Sequence, residues 1–181
     1  MGHIHKRKGQ HDRAVSAFII RTDFDEPKLM LHNHKLLGQL LQPGGHVELD
    51  ETPWQAIAHE ILEEAGYDFG QLQILQPDIF RITELPKAKV HPVPVIESTH
   101  GFDKLWPNHY HTDTSYAFVT DQEPNNKPVD GESTIIRWYS LEELKWVPAG
   151  EIVENIRVIG QHILTHFINE WVPVPVENFE L

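Results

Sequence analysis

Cysteine is absent from the sequence of 181 residues, which excludes disulfide bonds, zinc sites with thiolate ligands and a cysteine nucleophile. Basic residues are also scarce. The chain has 15 Lys and Arg against 27 Asp and Glu, which gives a formal net charge of −12 when histidine is neutral. So acidic a chain is poorly suited to binding nucleic acid through a broad basic surface. An anionic phosphate substrate would instead require a bound divalent cation.

Long hydrophobic runs are absent as well. No stretch approaches the length that spans a bilayer, and the first ten residues, MGHIHKRKGQ, lack an apolar signal core. The sequence therefore predicts a cytoplasmic protein. With 40% hydrophobic residues, we expect a single domain with one core over residues 1–181. We also expect a flexible segment over about residues 1–10, and an extended tail over about residues 172–181 that lies against another surface or a second subunit of a homodimer.

Alternating and β-branched apolar stretches predict the strands. They cover residues 14–20, 28–31, 71–75, 90–98, 110–120 and 134–139. Pro92 and Pro94 restrict the fourth of these to an edge or irregular strand, because proline cannot donate to a sheet. Prolines, asparagines and a glycine predict a mobile loop over residues 121–133 that borders the site, and apolar spacing predicts a long helix over residues 151–171.

Residues 52–66 carry the signals of a helix with defined ends. Thr52 is the predicted N-cap, Gln55 completes a capping box, and Gly66 is the predicted stop. Helical periodicity separates a packing arc from an exposed arc of carboxylates. The packing arc contains Trp54, Ala58, Ile61, Leu62 and Ala65, and the exposed arc contains Glu60, Glu63 and Glu64.

The three glutamates of this helix lie at positions i, i+3 and i+4, so one face carries three carboxylates. Their mutual repulsion would cost stability unless a cation or a role as a base compensates for it. Oxygen ligands without cysteine favour Mg²⁺ or Mn²⁺ over zinc. Such a cation can bridge phosphate oxygens and lower the pKa of a bound water molecule. The alternative is an ordinary solvated acidic helix face, which is the commoner fate of such stretches.

Residues 45–67 read GHVELDETPWQAIAHEILEEAGY and resemble the Nudix box. The positions in register are Gly45, Glu51, Glu60, Ile61, Glu63, Glu64 and Gly66. The resemblance implies an α/β fold, namely an α/β/α sandwich around a mixed β-sheet. It also implies metal-dependent hydrolysis of a pyrophosphate bond in a nucleoside diphosphate linked to another moiety, or in a related organic pyrophosphate. The partner is then a small nucleotide or pyrophosphate, and no stable binding to nucleic acid or membrane is expected.

The resemblance also assigns roles within the box. The implied metal ligands are Glu60, Glu63, Glu64 and Gly45, which would hold Mg²⁺ or, alternatively, Mn²⁺. Glu51 completes the catalytic set of Glu51, Glu60, Glu63 and Glu64. The resemblance leaves open which carboxylate activates the water molecule.

One box position departs from the family, because His59 stands where the family has arginine. A protonated His59 could pair with Glu51, but the charge of a histidine near neutral pH is variable. We therefore expect slower or more pH-dependent turnover, or a protein that binds a nucleotide or sugar nucleotide without cleaving it. The isopentenyl-diphosphate isomerases, which share the fold, are disfavoured because their chemistry depends on a cysteine.

Five further residues are candidates for substrate binding: His46, Arg81, His109, His111 and Asp113. His46 directly follows the box glycine, and Arg81 is a candidate anion clamp. Strand alternation places the last three on one face of a strand. That face contacts substrate opposite the box, forms a second metal site, or is a solvent-facing surface with incidental histidines.

Overall fold

A computed structural model describes residues 4–5, 7, 9–79, 82–101 and 109–181. In this part of the chain, nine strands form one mixed sheet. The strands are β1 (His11–Arg21), β2 (Lys28–Asn33), β3 (Leu40–Leu41), β4 (Gly44–His46), β5 (Gln73–Pro77), β6 (Ile96–Gly101), β7 (Tyr110–Thr120), β8 (Ile136–Tyr139) and β9 (Trp171–Pro175). The strand and helix content confirms the predicted α/β class.

The helices lie between strands in the chain. They are α1 (Pro53–Glu60), continued by a π-helical turn (Ile61–Ala65); α2 (Leu141–Trp146); and α3 (Glu154–His162), continued by a second π-helical turn (Ile163–Phe167) and α4 (Ile168–Glu170). Two short 3₁₀ turns cover Phe69–Gln71 and Val176–Asn178. The predicted capping box begins α1, because the Thr52 side chain accepts from the backbone N–H of Gln55, whose side chain in turn accepts from the N–H of Thr52.

The centre of the sheet is the parallel pair of β1 and β7. The strand order is β3-β2-β1-β7-β5-β9, while β4 also pairs with β1, β6 with β7, and β8 with β2. The β1–β7 register runs without interruption from His11 opposite Tyr110 to Arg21 opposite Thr120. Because no bulge interrupts this register, residues of the two strands that lie opposite each other point to the same face of the sheet.

The two faces of the sheet hold separate apolar cores. The α1 face, which packs on α1, contains Val15, Ala17, Ile19, Trp54, Tyr116 and Phe118. The α3 face, which packs on α2 and α3, contains Phe18, Ile20, Ala117, Leu144, Ile156 and Ile163. Helices on both faces of one mixed sheet confirm the predicted α/β/α sandwich.

The predicted elements differ from the structure mainly at their ends. The strand predicted over residues 90–98 begins only at Ile96, after Pro92 and Pro94, because prolines cannot complete the ladder. The predicted extended tail pairs with its own chain, since β9 lies antiparallel to β5 from Trp171 opposite Pro77 to Pro175 opposite Gln73. Its prolines are tolerated because β9 is at the edge of the sheet. Among the described residues, no helix combines the length and apolar character that crossing a membrane requires.

Candidate active site

The carboxylates of the helix after the glycine pair lie closer to the sheet than the sequence predicts. Glu60 and Glu64 are buried, each 6% exposed, whereas Leu62 is 40% exposed. The prediction of an exposed carboxylate arc opposite a packing Leu62 was therefore wrong. Helical periodicity was right, but the packing arc is rotated toward Ile57 and the two glutamates.

The reason for this rotation is the glycine pair of β4. A Cβ atom added to Gly45 would collide with the carboxylate of Glu60, and one added to Gly44 would collide with the backbone carbonyl of Val15. The backbone N–H of Gly44 donates to Oε2 of Glu64 at 2.8 Å. Without side chains, the two glycines leave room for the helix to press its carboxylate side against the sheet edge.

Burial dominates the electrostatics of these two carboxyl groups. It raises the pKa of Glu60 to about 7, with further raising by the negative charges of Glu63, Glu132 and Glu51. It raises the pKa of Glu64 to about 8, although the hydrogen bond from Gly44 opposes this shift. Near neutral pH, the two groups are partly protonated and repel each other when both ionise. A divalent cation bound between them would relieve that repulsion.

Glu132 is a fifth carboxylate of the site, and the sequence did not reveal it. It is half-buried, its side chain hydrogen-bonds to that of Glu64, and its charge raises the pKa of Glu64. The loop that carries Glu132 lies against the end of the box helix, which is α1 with the π-helical turn that continues it. Two backbone hydrogen bonds of 2.9 Å hold the loop there: the N–H of Val129 donates to the carbonyl of Glu63, and the N–H of Asn126 donates to the carbonyl of Gly66. The loop over residues 121–133 therefore lies beside the Glu64 carboxyl group.

His59 and Glu51 form the contact that the sequence suggested. Nδ1 of His59 lies 2.6 Å from Oε1 of Glu51, although the His59 side chain is 66% exposed. Such an exposed pair contributes little to stability. It can nevertheless hold the Glu51 side chain in one orientation beside the box helix.

His32, for which the sequence gives no signal, lies next to Glu64. Its Nε2 is 3.7 Å from Oε2 of Glu64, and burial lowers the pKa of His32 to about 4. The imidazole is therefore neutral at physiological pH. Its Nδ1 has no hydrogen-bond partner among the described residues. The ring is therefore a polar but uncharged neighbour of the buried carboxyl groups.

Four of the other predicted site residues lie on the opposite face of the sheet. Tyr116 and Phe118 of β7 pack on Trp54 of α1, so the alternate residues of the strand point to the α3 face. Asp113 is among them, and it accepts hydrogen bonds from Ser16 at 2.8 Å and Ser115 at 2.6 Å.

His111 of β7 and His109, which directly precedes the strand and lies 3.1 Å from Asp12, follow the same alternation. His109 and His111 lie two and four residues before Asp113 and also point to the α3 face, and His46 joins them because it pairs with Ala14 of β1. The unbroken β1–β7 register turns these residues away from α1, so this face of the strand does not lie opposite the box carboxylates. Arg81 lies outside the described residues.

Comparisons with known proteins show what this chain is similar to. The sequence pattern of the NUDIX domain family matches residues 10–160. A comparison with curated protein sequences gives no match. Among solved structures, a hydrolase of the NUDIX family from Clostridium perfringens is 33% identical, with a TM-score of 0.67, over 85% of this chain and 96% of that chain.

More distant structures share the fold. An Ap4A hydrolase from C. elegans, solved as a binary complex, is 18% identical with a TM-score of 0.59, over 86% of this chain and 99% of that chain. The NUDIX domain of NrtR from Shewanella oneidensis, solved in complex with ADP ribose, is 12% identical with a TM-score of 0.59, over 84% of this chain and 86% of that chain.

Proposed function

The chain belongs to the NUDIX domain family and is a pyrophosphohydrolase, and from that premise we propose that it cleaves, with Mg²⁺, the pyrophosphate bond of a nucleoside diphosphate linked to another moiety. The observation that supports the proposal most strongly is the pair of buried carboxyl groups against the glycines of β4. Their raised pKa values mean that ionising both carboxyl groups costs free energy in the metal-free site. A bound cation would lower this cost because it compensates for the two negative charges.

The donor set fits a hard divalent cation. Glu60, Glu63 and Glu64 would supply carboxylate oxygens, and Gly45 would supply a backbone carbonyl oxygen. An all-oxygen set of this kind suits Mg²⁺, and Mn²⁺ as the alternative. When bound, the cation supplies charge neutralisation at the diphosphate and lowers the pKa of a water molecule.

The chain's own residues position this chemistry. The N–H of Gly44 holds the Glu64 carboxylate in place, and His59 holds Glu51. Glu51 and Glu132 are the two carboxylates beside the proposed ligands, and one of them accepts the proton of the attacking water molecule. Fixed charges and positioning then supply most of the rate acceleration, as in other phosphoryl transfers.

The proposed substrate class draws on the distant relatives. One of them is an Ap4A hydrolase and another was solved with ADP ribose, and both of these compounds join a nucleoside to a second group through phosphates. The proposed substrate site does not include His46, His109, His111 and Asp113, because these residues lie on the α3 face.

The test is a substrate panel. Purified protein is incubated with nucleoside triphosphates, nucleoside diphosphate sugars, dinucleoside polyphosphates and ADP-ribose, each with Mg²⁺, with Mn²⁺ and with EDTA, and the phosphate-bearing products are measured. The proposal expects EDTA-sensitive turnover of a substrate in which a diphosphate links a nucleoside to another group. Turnover that persists in EDTA would refute the proposed metal dependence. Tight binding without turnover by folded protein would favour the alternative of a binding-only protein, with His59 the first residue to examine.

A further inference from the structure

A second group of possible metal ligands lies on the α3 face, away from the box carboxylates. It consists of Asp12 on β1, His46 on β4 and His111 on β7. Asp12 lies directly opposite His111 in the β1–β7 register, and His46 lies opposite Ala14, two residues further along β1. The register of three adjacent strands therefore brings these side chains to neighbouring positions on one face.

The distances between the ligand atoms suit a metal ion. Nε2 of His46 lies 3.4 Å from Nε2 of His111 and 3.6 Å from Oδ2 of Asp12. One ligand atom from each of the three residues lies within 4.8 Å of the others. A tetrahedral ion with bonds of about 2.05 Å separates its ligand atoms by roughly 3.4 Å. The side chains would need little movement to share one ion.

We propose that Asp12, His46 and His111 form a second metal site, which binds a transition-metal divalent cation of the Zn²⁺ type. Two imidazole nitrogens and one carboxylate oxygen, without thiolates, form a ligand set that such ions prefer over Mg²⁺. The box carboxylates offer only oxygen and suit the harder ion. The second site does not depend on the function proposed for the box.

Hydrogen bonds already orient the carboxylate of this site. Asp12 is fully buried; its Oδ1 accepts from the backbone N–H and from Nδ1 of His5, each at 2.8 Å. Its Oδ2 accepts from the backbone N–H of Ile4 and lies within hydrogen-bond distance of Nε2 of His109, each at 3.1 Å.

The same contacts set the charge of Asp12. Burial raises the pKa of this carboxyl group, but the hydrogen bonds from His5 and Ile4 outweigh burial and lower the pKa to about 2. The hydrogen bonds from Ile4 and His5 hold the Asp12 carboxylate in one orientation, as outer contacts do in metal sites.

The site would also hold the strand that carries the box glycines. β4 is three residues long, and His46 follows Gly45 directly. A metal ion bound by His46 would tie β4 to β1 and β7 from the α3 face. The same strand presents the N–H of Gly44 to Glu64 on the α1 face.

Metal binding by the imidazoles can be observed directly in the full chain. ¹⁵N-labelled protein is stripped of metal and titrated with Zn²⁺ in a large excess of Mg²⁺, while the ring-nitrogen resonances of each histidine are followed by NMR. We expect the Nε2 resonances of His46 and His111 to shift together and to saturate at one equivalent of Zn²⁺. Shifts that Mg²⁺ abolishes, or that leave His46 and His111 unaffected, would overturn the proposal. Because this experiment uses the unaltered protein and does not measure hydrolysis, it is independent of variant folding and of the box chemistry.

Variants then identify the ligands. His46→Ala and His111→Ala should each weaken Zn²⁺ binding, measured by calorimetry, by about 100-fold or more, since even outer contacts of a metal site are worth 10-fold to 100-fold. The matched control is His162→Ala, because the exposed His162 lies one helical turn from His166 with ring centroids 4.7 Å apart and offers a competing histidine pair. Wild-type affinity in His162→Ala is expected. Loss of binding in His162→Ala, with binding retained in His46→Ala and His111→Ala, would overturn the proposal.

Discussion

The buried Glu64 carboxyl group predicts a specific dependence of stability on pH in the metal-free protein. The pKa of Glu64 is raised from 4.5 to about 8 by burial. Between pH 4.5 and about 8, the folded chain therefore keeps a proton on Glu64 that the unfolded chain releases. The stability that this proton contributes is fully present below pH 4.5 and is lost as the pH rises through 8. Glu64→Gln should remove this dependence, because glutamine is neutral and can still accept the N–H of Gly44.

The size of the effect follows from the pKa values. With a folded pKa of about 8, protonation of Glu64 stabilises the fold at pH 7 by roughly 1.4 kcal/mol more than at pH 9. Glu60, with a pKa of about 7, adds roughly 0.4 kcal/mol over the same interval. Between pH 7 and pH 9, the free energy of unfolding of the wild-type protein should fall by the sum of these two amounts. That of Glu64→Gln should fall only by the smaller amount, which comes from Glu60.

The assay is urea denaturation followed by tryptophan fluorescence, at pH 7 and pH 9 with EDTA, for wild type, Glu64→Gln and the exposed control Glu151→Gln. The control should behave as wild type does. Adding Mg²⁺ at pH 9 should restore the stability of wild type more than that of Glu64→Gln, because the ion replaces the lost proton. Equal losses between pH 7 and pH 9 in wild type and Glu64→Gln would refute the assignment of a buried, protonated carboxyl group.

Four further changes test other parts of the site. Gly45→Ala should lower the Mg²⁺-dependent rate at least 10-fold with little loss of stability, since the added Cβ displaces only the flexible end of the Glu60 side chain. Gly66→Ala should instead lower the melting temperature. Gly66 has a left-handed φ of 74°, and a Cβ there would collide with a backbone carbonyl. His59→Arg should raise the rate or flatten its pH profile, and a fall in rate would show that the histidine has its own function. Glu132→Gln should lower kcat in a steady-state assay while the fold measured by circular dichroism is retained; an unchanged kcat would remove Glu132 from the site.

Local sequence signals predicted the elements that depend on neighbouring residues. The capping box at Thr52 and the stop at Gly66 define the box helix because capping is satisfied within a few residues. Alternation along β7 predicted the strand and the shared face of its polar residues. The box spacing identified the family because its glycines and glutamates are close in sequence.

Contacts between distant segments were not predictable from the same signals. The buried side of the box helix includes Glu60 because the glycines of β4 let the helix approach the sheet closely. Helical periodicity in the sequence does not encode this approach. Glu132 reaches Glu64 through a loop that follows β7, and Asp12 meets His111 through a parallel pairing of strands that are far apart in the chain. Such pairings are fixed by tertiary packing rather than by local propensity.

The most direct test of the account compares the rate of pyrophosphate cleavage in wild type and Glu64→Gln, with Mg²⁺ and with EDTA, on a substrate that the panel identifies. The account predicts that EDTA abolishes wild-type turnover and that Glu64→Gln loses roughly 100-fold or more in kcat/KM while remaining folded, because the bound cation supplies several kcal/mol of transition-state stabilisation. Equal rates in the two proteins, or a wild-type rate that EDTA leaves unchanged, would contradict a metal-dependent reaction at the buried carboxylates.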